Sequence, residues 1–158
     1  MDTITTLELR DAFRDAILSI SPTFEALQSI RWSYCPGIRR QGRAAQLEGL
    51  GTRNFDLIFG VGRPSYLWYG AGESYVATLR IAVSYSGIEP EIADHMVTAD
   101  AVDLRRALYA LRDPVLSGFV GFGNNAEFEP SNDRSDDKDN RYLEFQTEIH
   151  WHQATETY

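Results

Sequence analysis

The clearest pattern in the chain is a strict alternation of residue types from Arg141 to Gln153. One set of alternate positions is mostly apolar: Leu143, Phe145, Thr147, Ile149 and Trp151. The other set is polar: Tyr142, Glu144, Gln146, Glu148, His150 and His152. Because successive side chains of a strand point to opposite faces, this period of two predicts a strand with one buried face and one solvent face.

Further alternation predicts strands elsewhere in the chain. The two clearest segments run from Asn54 to Val61 and from Tyr75 to Tyr85. A short strand is predicted from Ile30 to Tyr34, before a Pro-Gly pair. Another is predicted from Phe119 to Phe128, where two glycines favour bulges.

Two segments place apolar residues at helical spacing. The first predicted helix runs from about Thr6 to Ser19, and Thr5 and Glu8 have the spacing of a capping box. The second has acidic residues early, basic residues late, and Pro114 after its end. Its apolar positions are Val97, Ala101, Leu104, Leu108 and Leu111.

This order of elements predicts a fold of the α+β class. The expected architecture is a single mixed or antiparallel sheet of about five strands, with two main helices packed on one face. A chain of 158 residues is most simply one domain, so residues 1–158 are assigned to one unit. The least regular stretches predict loops at about 36–54 and 127–140.

The composition narrows the class of protein. The formal charge of −8 argues against tight, general binding of nucleic acid, which depends on Lys and Arg. Cys35 is the single cysteine, so no internal disulfide is expected. We expect no secretion signal and no membrane helix, because no basic segment precedes an apolar run and no apolar stretch approaches about 20 residues.

The most suggestive candidate chemistry is the pair His150 and His152 beside Glu148. Alternate strand residues point together and can share a metal, but a third ligand, His95, is distant in sequence. We interpret the pair as exposed or interfacial histidines, and no metal site is predicted.

Other motifs are incomplete. The aspartates between 133 and 139 lack the spacing of a calcium loop, and Gly60-x-Gly62 lacks the third glycine and the helix of a dinucleotide site. No Gly-x-Ser-x-Gly elbow is present. We therefore predict no catalytic residue and no cofactor, and a protein that is not an enzyme.

Two segments are candidates for contact with another subunit or partner. A basic segment carries Arg39, Arg40, Arg43 and Arg53 against one acid, Glu48. It either meets an acidic surface of a neighbour or remains a solvated loop. An aromatic segment contains Tyr66, Trp68 and Tyr69. It either packs beneath the loop or serves at a contact.

The order of elements resembles that of the tail terminator and tail-completion (neck) proteins of tailed bacteriophages. The resemblance is carried by the helix from Leu9 to Ile20, the strand from Tyr75 to Tyr85, the helix from Asp100 to Leu111 and the final strand from Tyr142 to Trp151. It covers most of the chain and is one of pattern and size, since this family has no diagnostic motif.

The resemblance implies a structural virion protein, assembled in the host cytoplasm. Such proteins form a homo-oligomeric ring, usually of six subunits, which caps the tail tube, contacts neck or connector proteins and lets DNA pass through its lumen. Six copies would carry a formal charge of −48, six times −8, which repels the DNA backbone. The basic and aromatic segments would be contact regions. The polar face of the last strand, with Glu144, Glu148, His150 and His152, would line the lumen or a subunit interface.

Three alternatives stay open at this point. The chain could be a different neck or tail protein of the virion. It could be a small-ligand-binding or enzymatic α+β domain in which the aromatic segment covers a pocket. It could also be an adaptor that binds a protein along its last strand.

Overall fold

The computed structural model describes residues 2–20, 30, 32–36, 52–65, 74–86, 88–112, 114–123, 127–130 and 141–154. The elements in these ranges, in chain order, are α1 (Thr6–Leu18), β1 (Trp32–Tyr34), β2 (Thr52–Phe59), β3 (Arg63–Pro64), β4 (Ser74–Ser86), α2 (Pro90–Tyr109), β5 (Phe119–Phe122), β6 (Glu127–Pro130) and β7 (Arg141–His152). The strands form one mixed sheet. The predicted α+β class, with two main helices and a mixed sheet, is confirmed.

The sheet is organised around its two longest strands, β4 and β7. They pair antiparallel along their length, from Ser74 opposite His152 to Tyr85 opposite Arg141. The main strand order is β1-β2-β4-β7-β5, and the short strands β3 and β6 pair with β4 and β7. Only the β1–β2 pairing is parallel among the described strands. Each long strand therefore has two shorter neighbours on its outer side.

One face of this sheet carries the core, as the alternation predicts. The apolar residues of β7 are buried, and so are their neighbours on β4, including Leu79, Ile81 and Val83. The buried side chains of α1 and those of α2 belong to the same cluster. The prediction that both helices pack on one face is therefore confirmed.

Phe13 of α1 is a central contact of this core. Its ring meets Phe119 edge-on with centroids 5.2 Å apart, and it stacks on Phe59 and on Phe122 at 6.1 Å. These partners lie on β2 and β5, which are on opposite sides of the β4–β7 pair. A single helical side chain thus joins the two halves of the sheet through aromatic packing.

The start of α1 is fixed by the predicted capping box. The Glu8 backbone N–H donates to the Thr5 hydroxyl, and the Thr5 backbone N–H donates to the Glu8 carboxylate at 2.9 Å. The Thr5 backbone N–H and the Thr5 hydroxyl both donate to the Glu8 carboxylate, and these two hydrogen bonds lower the pKa of Glu8. The helix ends at Leu18, one residue before the predicted end at Ser19.

The second helix begins earlier than its sequence pattern suggested. It starts at Pro90, seven residues before Val97, which is the first of its predicted apolar positions. Proline suits the first turn of a helix because that turn has no intrahelical acceptor for its N–H. The buried residues Ala93 and Met96 extend the apolar side of the helix toward this end.

Each predicted loop includes residues that belong to a strand. The first was predicted to reach residue 54, but Thr52–Asn54 already pair with β4 and begin β2. The second was predicted from 127, but Glu127–Pro130 form β6 and pair with β7. The predicted strand from Phe119 to Phe128 is accordingly two strands, and the expected bulge occurs between Phe119 and Gly121. Residues 37–51 and 131–140 lie outside the described residues.

The N-terminal segment is attached to the end of β7. Ile4 forms a parallel bridge with Gln153, and its N–H donates to the carbonyl of His152 at 2.8 Å. Gly118 supports the same junction, since its carbonyl accepts from the His152 N–H. Gly118 has φ +89, and a Cβ atom there would lie 2.8 Å from the backbone carbon of Thr3. This position therefore requires glycine for both conformation and space.

The substitution Gly118→Ala should lower the free energy of unfolding by about 2 kcal/mol or more, because it adds backbone strain and a clash. Chemical denaturation measures this loss. Gly60→Ala is the matched control, since its nearest contacts start at 3.4 Å and its φ is not in the left-handed region. Equal losses at the two positions would contradict the account of this junction.

Candidate functional site

The polar face of the β4–β7 pair is the first candidate for a functional surface. The Arg80 side chain on β4 forms an ion pair with Glu144 on β7. Toward the other end of the pair, Arg63 of β3 approaches Glu148 at 3.3 Å, and both side chains are exposed. The predicted face of β7 therefore carries carboxylates that are matched by arginines on neighbouring strands.

The two histidines of this face have different surroundings. The Nδ1 atom of His152 lies 3.2 Å from the Ser74 hydroxyl across the β4–β7 pairing. The Nδ1 atom of His150 is buried and has no hydrogen-bond partner among the described residues. Across all the residues that the structure describes, no three His, Cys, Asp or Glu side chains are grouped so that they could hold a metal ion.

A second polar cluster lies inside the protein, around Arg53. Its guanidinium Nη1 donates to Asp100 Oδ1 at 3.1 Å, and each of the two side chains is only 1% exposed. The Tyr85 hydroxyl donates to the other carboxylate oxygen at 2.7 Å. The guanidinium also lies over the ring of Trp32, 4.1 Å from its centroid. The cluster thus joins β1, β2, β4 and α2.

Burial dominates the electrostatics of this cluster. It raises the pKa of Asp100 to about 6, although Arg53 and the Tyr85 hydroxyl act in the opposite direction. It lowers the pKa of Arg53, which the Asp100 carboxylate opposes. The pKa of Tyr85 is raised well above 10.0 by burial and by the same carboxylate. A guanidinium stays protonated at neutral pH, so the paired carboxylate balances a permanent buried charge.

The buried position of Arg53 corrects one sequence prediction. Arg53 was expected to contact another subunit or partner, but its side chain reaches neither solvent nor an outer surface. The reason is its place in β2, where it shares the inward-facing register of Phe55 and Leu57. The other predicted contact residues lie outside the described residues: Arg39, Arg40, Arg43, Tyr66, Trp68 and Tyr69.

Sequence reasoning missed Asp100, Tyr85 and Trp32 as partners of Arg53. A signal was nevertheless present in the chain. Arg53 occupies an inward position of a strand, and Asp100 occupies an inward position of α2, four residues after Met96 and four before Leu104. Two opposite charges at core positions predict a buried pair, because an isolated charge is too costly to bury.

Comparison with known proteins adds no family assignment: no protein-family model matches the chain, and no curated protein matches it significantly. Within the described ranges, no helix is long and apolar enough to cross a membrane.

Among the described residues, the two polar clusters differ in accessibility. The Arg53 cluster is inside the fold. On the polar face, Ser74, Val76, Ala82 and Ser84 of β4 are buried, whereas Gln146 and Glu148 of β7 are exposed, so the accessible part of this face lies around Glu148.

The substitution Arg53→Met should lower the free energy of unfolding by about 3–5 kcal/mol, because it leaves the Asp100 carboxylate buried without its cation. Adding Asp100→Leu and Tyr85→Phe should recover most of this loss, since the Asp100 carboxylate and the Tyr85 hydroxyl are then no longer buried without partners. Denaturant unfolding measures both variants.

The matched control for this series is Arg63→Met, which removes an arginine from an exposed ion pair and should cost less than about 1 kcal/mol. A triple variant as unstable as Arg53→Met would contradict the interpretation that the cluster is structural.

The stability of the protein should also depend on the titration of Asp100. Its folded-state pKa of about 6 lies above the ordinary value of 3.8, so between these values the folded protein binds a proton that the unfolded chain releases. The Asp100 contribution to the free energy of unfolding is therefore present below about pH 4 and is lost as the pH rises through 6. The loss amounts to at most about 3 kcal/mol.

Urea unfolding of wild type and Asp100→Asn at several pH values checks this sign. The stability of wild type relative to the variant should decrease from pH 4 to pH 7, because the variant lacks the titrating group. A difference that increases with pH would contradict the raised pKa.

Proposed function

We propose that the protein is a structural virion protein of a tailed bacteriophage. In this proposal it assembles into a ring, usually of six subunits, that caps the tail tube and joins it to the head or neck, while DNA passes through the lumen. The support from the fold is the order of its elements, in which α1 and α2 are each followed by strands and β7 comes last.

The observation that carries the proposal is the polar face of β4 and β7. Its described charged side chains pair with one another across strands, as in Arg80 with Glu144 and Arg63 with Glu148. An ion-paired sheet face that is exposed around Glu148 suits contact with a protein surface or a water-filled lumen better than it suits chemistry on a bound substrate. Glu144, Glu148, His150 and His152 are the residues assigned to that role.

The charge of the chain agrees with the passage of DNA. Each copy carries a formal −8, so a ring of several copies has a strongly negative potential. Such a potential repels phosphates and lets a duplex slide without adhering to the wall. Another neck or tail protein of the virion is the second candidate, because the same element order and charge fit it.

The proposal is tested by adding the purified protein to the tail-tube protein of the same genome while that protein polymerises. A tube-capping ring should stop elongation, and electron microscopy should show extra density at one tube end. Tubes whose lengths are unchanged at any ratio of the two proteins, together with bare tube ends, would contradict the proposal.

A charge reversal determines which surface the polar face of β7 lines. Glu148→Arg should prevent ring formation if the face lies between subunits, because a repulsive contact then replaces a matched one. It should leave the ring intact but make it retain DNA if the face lines the lumen. Asp11→Arg on α1 is the control, since it makes the same change of charge at another exposed carboxylate.

A further inference from the structure

The outer side of α2 is a continuous exposed stripe. Successive members are three or four positions apart, except for one adjacent pair. This spacing places them on one side of a helix. We call it the α2 stripe, and its members are Glu91, Asp94, Thr98, Val102, Arg105 and Arg106. All six side chains are exposed, while the opposite side of the helix is in the core.

Charge is separated along the α2 stripe. Glu91 and Asp94 lie near the N-terminal end, and Arg105 and Arg106 lie near the C-terminal end. At 1.5 Å per residue, Glu91 and Arg105 are roughly 20 Å apart along the helix axis. The stripe therefore has an acidic end and a basic end on a single helix.

One arginine of the basic end, Arg105, lies near an aromatic ring. Arg105 and Arg112 each place a guanidinium 5.5 Å from the centroid of Tyr109. The Arg112 Nε also donates to the Tyr109 carbonyl at 3.2 Å. Within the described residues, Arg105 and Arg106 form no ion pair. This end thus presents positive charge that is partly ordered before any partner arrives.

The middle of the stripe is less polar than its ends. Val102 is 52% exposed there, next to the small side chain of Thr98. An apolar centre with charged ends is the usual composition of a protein–protein contact, in which the centre loses water and the charged rim sets the register.

We propose that the α2 stripe docks onto a second copy of this chain, with the acidic end of one copy against the basic end of the other. A surface that carries both charges at a fixed separation is complementary to itself when copies meet end to end, and such a head-to-tail contact can close into a ring, whereas an antiparallel contact would close at two copies. The inference rests on the self-association in the proposed function and adds the surface that produces it. A nucleic acid is a poor occupant, because Glu91 and Asp94 would face its phosphates.

The test uses two full-length variants with reversed charges. One is Arg105→Glu with Arg106→Glu, and the other is Glu91→Arg with Asp94→Arg. Each alone should self-associate at least about tenfold more weakly than wild type, because like charges then meet at the contact. An equimolar mixture of the two should recover assembly, since every contact can again join opposite charges. Sedimentation velocity measures the association, and recovery in the mixture shows that both variants are folded.

The matched control is Arg10→Glu with Arg14→Glu on α1, which changes the net charge as much as the first variant does. It should leave association unchanged. Association of the wild type should also weaken as salt rises toward 1 M, where the screening length falls to about 3 Å.

The possible results separate this inference from the proposed ring. If the wild type and both variants all form rings, the α2 stripe is not the contact, and the proposed ring is supported. A wild-type dimer that the reversals dissociate and the mixture restores would support the inference and overturn the ring. A wild type that stays monomeric at every concentration would overturn both.

Discussion

The antiparallel pairing of β4 with β7 is the constraint on which the rest of the structure depends. Every other strand of the described sheet except β1 attaches directly to one of these two, and β1 attaches through β2. Because side chains alternate along both strands, this one register decides which residues face the helices and which form the polar face. A slip by one residue would exchange Phe145 for Glu144 in the core. The folding of the domain and the character of its outer surface therefore have a common origin.

The Arg53–Asp100–Tyr85 cluster sets how α2 lies on this sheet. An apolar helix face can slide or rotate on an apolar sheet at little cost, but a buried guanidinium must meet its carboxylate. Trp32 covers the guanidinium and extends the arrangement to the edge strand β1. The cluster thereby fixes which side of α2 is buried, and hence which side presents the α2 stripe.

Much of the fold could be predicted from the sequence, because β4, β7 and both helices are long and strictly periodic. Strand β3 and the separation of β6 from β5 could not, since β3 has two residues and both β3 and β6 owe their existence to pairing with β4 and β7. Arg53 was predicted to lie in a loop because the segment before it is rich in arginine. Its alternation with Phe55 was the signal that it belongs to a strand. The polar face of β7 was correctly located by its alternation, but the arginines that pair with its carboxylates come from distant positions, Arg63 and Arg80, that sequence spacing does not reveal.

We propose that the chain is an assembly subunit whose polar surfaces face other copies and a DNA-conducting lumen. Native mass spectrometry of the purified protein tests it most directly, because each oligomeric state has a distinct mass. A ring of six copies of the 17.9 kDa chain has a mass of about 107 kDa, six times that of one subunit. We expect a species with the mass of such a closed ring. A spectrum that contains only the 17.9 kDa monomer at every protein concentration would contradict it.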